Sequence, residues 1–128
     1  MPELTRKRPK YLNLVAIRLP LAGFASILHR LSGAGLFFML PLLIYLLQLS
    51  LGSADDFAAL QRILAWIPVK LLLLGLLWAF LHHFCMGIRI LLIDVHVGVD
   101  KAAAALSAKL VLAVSLFLTA ILGAKLLW

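Results

Sequence analysis

The chain has 128 residues, 65% of them hydrophobic and 13% charged, with a formal net charge of +7 and a mean hydropathy of +1.12. Water-soluble domains lie closer to half apolar and about a quarter charged, so this composition excludes an ordinary soluble domain and points to an integral membrane protein. The lone cysteine, Cys85, excludes an internal disulfide and a thiolate-held metal cluster.

Within hydrocarbon only helices and closed barrels satisfy their own backbone. Unbroken runs of Leu, Ala and Ile favour helices over the alternating segments of about ten residues that barrels need. The expected fold is therefore all-α, a single membrane-anchor domain over 1–128 with three transmembrane helices. Three helices bury little by themselves, so a partner bundle is expected beside them.

Residues 1–20 form a basic arm carrying Arg6, Lys7, Arg8, Lys10 and Arg18, interrupted by Pro9. The opening Met-Pro-Glu and the missing small-residue cleavage site argue against a removable signal peptide. Pro20 suits the first residue of a helix, because its fixed φ is already helical. The first span is expected over about 21–51, long enough for a bilayer core of about 30 Å at about 1.5 Å per residue. Pro41 should kink it, and Gly33 and Gly35 offer a close-packing face toward another helix or a flat ligand. After a polar turn at 52–56, residues 57–67 mix apolar side chains with Gln61 and Arg62 and are expected at the interface. The second span is expected over about 65–93, with Pro68 in its first turn and Lys70 snorkelling to the near surface. A turn at 94–101 leads to a third span over about 105–127.

Counting Lys and Arg by side orients the chain. Arg6, Lys7, Arg8, Lys10, Arg18, Arg30, Arg89, Lys101 and Lys109 fall on the N-terminal side, against Arg62, Lys70 and Lys125 on the other. The positive-inside rule then places the N-terminus in the cytoplasm and the C-terminus across the membrane. Trp66 and Trp128 fall at the far interface, as an aromatic belt does. In a chain this apolar, the positive charge serves orientation and anionic lipid rather than nucleic acid.

Two stretches carry ionisable groups into the spans. In Ser26-Ile27-Leu28-His29-Arg30-Leu31-Ser32-Gly33, residues 26, 29 and 30 stand at i, i+3 and i+4 and can share one helix face as a polar claw. A guanidinium there either snorkels to lipid phosphate or holds an anionic or carbonyl-bearing ligand. The second span holds Leu81-His82-His83-Phe84-Cys85-Met86-Gly87-Ile88-Arg89. Adjacent histidines point about 100° apart, so they cannot share one task. Gly87, one turn beyond His83, leaves the gap a planar cofactor needs, whereas His82 faces Met86. That favours His83 as an axial haem ligand through a neutral imidazole, against the alternative of a histidine bonded to a neighbouring helix. With Arg89 taken as the cytoplasmic border, His83 lies about 9 Å inside it, level with the claw. Haem propionates would suit His29 and Arg30, and a quinone carbonyl would suit Ser26 and Arg30. Asp94 could pair with Arg89 or cap the turn, and His96 reads as a solvated loop residue. No nucleophile–base–acid set or phosphate loop is present, so the chain is not expected to catalyse a reaction alone.

These residues resemble the cytochrome b membrane-anchor subunit family of succinate dehydrogenase. The likeness rests on Arg8-Pro9, Asn13-Leu14 and Arg18-Leu19-Pro20 in the arm, on Ser26 through Gly33, and on His83, Gly87-Ile88-Arg89 and Asp94. The resemblance implies a subunit that shares one haem b with a second small membrane anchor. It implies docking of an iron–sulfur subunit fed by a succinate-oxidising flavoprotein, and ubiquinone reduction near the cytoplasmic border of a bacterial inner membrane. Carried over by residue, Ser26, Ile27 and Arg30 would contact quinone. His83 would ligate haem iron, His29 and Arg30 would approach the propionates, and Gly87 would pack against the macrocycle. Ile90 departs from the pattern, since many members have histidine after Gly-Ile-Arg. An anchor of fumarate reductase, running the reaction in reverse, is the nearest alternative. A small transporter or a purely structural subunit is a further one, although a transporter should show repeats or mid-membrane carboxylates.

Overall fold

The computed structural model describes Tyr11, Asn13 and residues 15–128; Arg6, Lys7, Arg8, Pro9, Lys10 and Leu14 of the arm lie outside them. The described residues form four helices and no strand: α1 (Leu21–Leu51), α2 (Ala54–Ala65), α3 (Ile67–Asp94) and α4 (Lys101–Leu127). α1, α3 and α4 are long and apolar enough to cross a membrane.

Each boundary has a local cause. Pro20 is extended (φ −65°, ψ 156°) and caps α1 rather than beginning it. Asn13 closes a turn just upstream, its side-chain oxygen accepting from the Val15 and Ala16 amides at 3.1 and 3.2 Å. Pro41 lies inside α1, and its missing N–H leaves the Phe37 carbonyl without its helical donor. The interfacial segment is a helix of its own. Ser53 and Asp56 close a reciprocal capping box at its start, and Trp66 is extended at its end. Pro68 cannot donate to residue 64, so α2 cannot run on into the second span, which begins at Ile67 rather than 65. The third span begins at Lys101, four residues before the expected 105, because the Asp100 carboxylate accepts from the Ala103 amide at 2.9 Å. His96 and Gly98 turn the chain between them with φ of 63° and 71°.

α3 is the central helix, packing against both α1 and α4. Without a hydrophobic driving force between helices in lipid, close approach by small residues holds such contacts. α4 supplies them as a buried stripe of Ala108, Ser115, Thr119 and Gly123. A methyl group at Gly123 would run into Leu74 of α3. The Ser115 and Thr119 hydroxyls donate back to the Leu112 and Ser115 carbonyls at 3.1 and 2.7 Å, so the stripe buries no unmet hydroxyl. Ala25, Met86, Ala108 and Val111 join α1, α3 and α4 in one core, with Cys85 packed against it. At the other end Leu46, Leu49 and Leu60 join α1 to α2. The Lys70 ammonium sits 5.3 Å from the centre of the Trp128 ring, tying the start of α3 to the end of α4.

Arg89 corrects the sequence reading. It is buried between helices rather than reaching out to lipid or water: Nε donates to Ser107 Oγ at 2.9 Å and Nη2 to the Ala104 carbonyl at 3.1 Å, both on α4. Nη1 donates to the Met86 sulfur at 3.9 Å on its own helix, and Asp94, which is exposed at the last position of α3, is not among its partners. α3 continues to Asp94, so His83 lies about 16 Å along the axis from the helix end.

Candidate functional site

The claw and the histidine pair meet in the seam between α1 and α3. His83 stands over Gly33: a methyl group there would lie 2.7 Å from His83 Cε1 and 3.1 Å from Nδ1. Only a glycine lets the ring come this close to the α1 backbone. The ring nitrogen Nδ1 is 3.0 Å from the His29 carbonyl oxygen. A carbonyl can only accept, so Nδ1 is the donor, and a neutral ring in this tautomer has its lone pair on Nε2. Ser32 is the second polar neighbour, its Oγ donating to the same carbonyl at 2.9 Å and lying 3.4 Å from Nδ1.

The His29 ring stacks on His83 with centroids 4.1 Å apart and planes 12° from parallel. This divides the claw. His29 turns into the seam and Ser26 and Ile27 are half-buried, while Arg30 is exposed. Ser26 and Arg30 remain four residues apart on one face of α1. Gly87 faces His29 across the seam, where an added methyl would stand 4.0 Å from His29 Nε2, an ordinary contact. Gly35, expected to share a packing face with Gly33, would meet nothing within 4 Å.

His82 has the opposite arrangement. It is fully buried, and its Nε2 lies 3.3 Å from the Ala25 carbonyl oxygen, so Nε2 is the protonated nitrogen. Nδ1 is buried without a partner among the described residues, as is the indole N–H of Trp78, whose ring stacks on His82 at 5.2 Å. Ser32 and the Ala25 carbonyl were not legible as partners in the sequence. A short hydroxyl three residues after His29 is a weak signal, and a backbone acceptor leaves none.

The donor set suits a haem iron. An imidazole held through Nδ1–H by a carbonyl, with Nε2 free, is the usual state of a metal-binding histidine, the carbonyl fixing both tautomer and ring orientation. Among the described residues no group of three or more His, Cys, Asp or Glu could hold a metal ion.

Residues 5–122 match the family described as succinate dehydrogenase/fumarate reductase transmembrane subunit. The chain is 35% identical over 128 residues to the succinate dehydrogenase cytochrome b556 subunit of Coxiella burnetii, covering 98% of this chain and all of that one. It is 31% identical over 120 residues to the subunit of the same name from Rickettsia typhi, with 94% of each chain covered. For that of Paracoccus denitrificans the figures are 30% over 120 residues and 92% of each chain. Over nearly its whole length, then, the chain belongs to the succinate dehydrogenase/fumarate reductase transmembrane subunit family.

Proposed function

We propose that His83 is the axial ligand this subunit contributes to a haem b, and that Ser26, Ile27 and Arg30 form its side of a ubiquinone site. Members of the family anchor a succinate dehydrogenase complex to the membrane and are not catalytic alone. The observation that carries the reading is the 3.0 Å contact from His83 Nδ1 to the His29 carbonyl, which in a neutral ring leaves Nε2 with its lone pair. When bound, haem b supplies a one-electron carrier within the bilayer.

The remaining roles belong to the side chains of this chain. His29, stacked on His83, and Arg30, one residue on, put positive or hydrogen-bonding groups where propionates would need them. The Arg30 guanidinium and the Ser26 hydroxyl can each donate a hydrogen bond. Together they stabilise the negative charge that develops on a quinone carbonyl oxygen as it is reduced. Ile27, half-buried between them in sequence, supplies apolar wall. Gly87, with no side chain toward the His29 Nε2 edge, would pack against the macrocycle. The second axial ligand comes from a second small anchor subunit, and an iron–sulfur subunit and a flavoprotein complete the complex. The basic arm and cation asymmetry orient the chain in a bacterial inner membrane, N-terminus in the cytoplasm and C-terminus in the periplasm.

The test is a reduced-minus-oxidised visible spectrum of the purified complex. His83→Ala should abolish the haem bands while the subunits still co-purify. An unaltered spectrum would move the ligand elsewhere, with His82 the next candidate.

A further inference from the structure

The turn of α1 that carries Ser26 and Arg30 hangs on α3 by two imidazole–carbonyl bonds. His83 donates to the His29 carbonyl at 3.0 Å and His82 donates to the Ala25 carbonyl at 3.3 Å. The two acceptors are four residues apart, one helical turn or about 5.4 Å along the axis. Ser26 directly follows one acceptor and Arg30 directly follows the other.

One such bond would leave the rotation of this turn to side-chain packing around Ala25 and Gly33. Two bonds, one turn apart, fix its rotation and its register together. Neither water nor lipid readily replaces the inner one. Ala25 and His82 are both fully buried, and hydrocarbon offers no hydrogen-bond acceptor to a freed imidazole N–H. The Trp78 ring, 5.2 Å from His82 and 27° from parallel, keeps the imidazole edge directed at α1.

We propose that His82 is a positioning residue for the quinone-binding turn: its bond to Ala25 sets Ser26 and Arg30 against the helix that carries His83. The inference rests on the reading of Ser26, Ile27 and Arg30 as quinone contacts. It gives the second histidine of the pair a task separate from haem ligation. His82 does not touch quinone itself; it acts through the backbone of Ala25.

The experiment compares His82→Phe, His82→Gln and Arg30→Ala in the intact complex, with a short-chain ubiquinone and with an artificial dye as acceptors. Phe keeps a flat ring against Trp78 and removes the donor; Gln places an amide N–H near the position of Nε2. His82→Phe should raise the apparent KM for quinone about five- to tenfold, the effect of one lost hydrogen bond, with kcat changed less than about twofold. Haem content, haem spectrum and dye-coupled succinate oxidation should stay as in the parent, and His82→Gln should restore most of the KM. A wild-type KM in His82→Phe, beside a raised KM in Arg30→Ala, would overturn the positioning role and leave the quinone site standing. A wild-type KM in Arg30→Ala would remove the quinone-site reading and this inference with it. Failure of His82→Phe to assemble with haem would assign the bond to bundle folding and likewise overturn the proposal.

Discussion

α1 meets its neighbours at two places that differ in kind. Toward its N-terminal end, beside the small Ala25–Met86 core, the contact is polar: Gly33 under an imidazole, two carbonyls accepting from two histidines, and a stacked ring pair. Toward its C-terminal end the contact is the leucine cluster of Leu46, Leu49 and Leu60, with Ile63, Leu64 and Leu73 around it. The leucine contact needs only volume, which many side chains supply. The histidine contact depends on the absence of a side chain at residue 33 and on two directional bonds. Function is therefore expected to be fragile at the first and stability alone to be at stake at the second.

The largest expected effect that tests this contrast is at Gly33. A Cβ there already falls 2.7 Å from a ring pinned by the His29 carbonyl, so Gly33→Leu must displace His83. Most of the haem should be lost from the purified complex, as for removal of the imidazole itself. A normal haem spectrum in Gly33→Leu would show that the close approach is dispensable. Next in size is Leu49→Ala. It should cost about 2 kcal/mol, near the low end for a buried leucine because lipid chains can refill part of the gap. Thermal denaturation of the complex should register that loss while the haem spectrum and quinone KM hold. A spectral change in Leu49→Ala would dissolve the distinction between the two ends.

How far the sequence disclosed each end follows from what marks it. The spans were legible because length and unbroken apolar runs have few alternative explanations in a chain this hydrophobic. The shared depth of His29 and His83 was legible too, since antiparallel helices entering from one side must match levels. What escaped was every contact whose partner is backbone. His82 donates to the Ala25 carbonyl and Arg89 to the Ala104 carbonyl, and no residue type announces either acceptor. Asp94 stands out in the sequence as a partner for Arg89 because it is the nearest opposite charge. The hydroxyl partner of Arg89, Ser107, lies across a turn on the next helix and carries no charge to signal the pairing. The start of α4 moved for a similar reason: Asp100 caps the helix with one oxygen, a stronger signal than the apolar run that begins later.

The smallest effect lies beyond the leucine end, where α2 is tied down by its cap. The Ser53 hydroxyl and then its backbone N–H hold the Asp56 carboxyl below the usual carboxylate range, with oxygen contacts of 2.7 and 2.9 Å to Oδ2. A lowered folded value means the cap contributes fully above the ordinary carboxylate pKa of about 4 and loses that contribution as pH falls through the lowered value. Hydrogen-exchange protection in the first turn of α2, corrected for intrinsic exchange, should therefore fall on acidification below about pH 4. Asp56→Asn should flatten that dependence without moving the haem spectrum at neutral pH. Ser53→Ala removes both halves of the hydroxyl contact and should cost about 1 kcal/mol of local helix stability at neutral pH. If Asp56→Asn kept the acid sensitivity of the parent, another group would be responsible for it. If either substitution altered the haem spectrum, the cap would be coupled to the histidine end through α1, and the two contacts would not be independent.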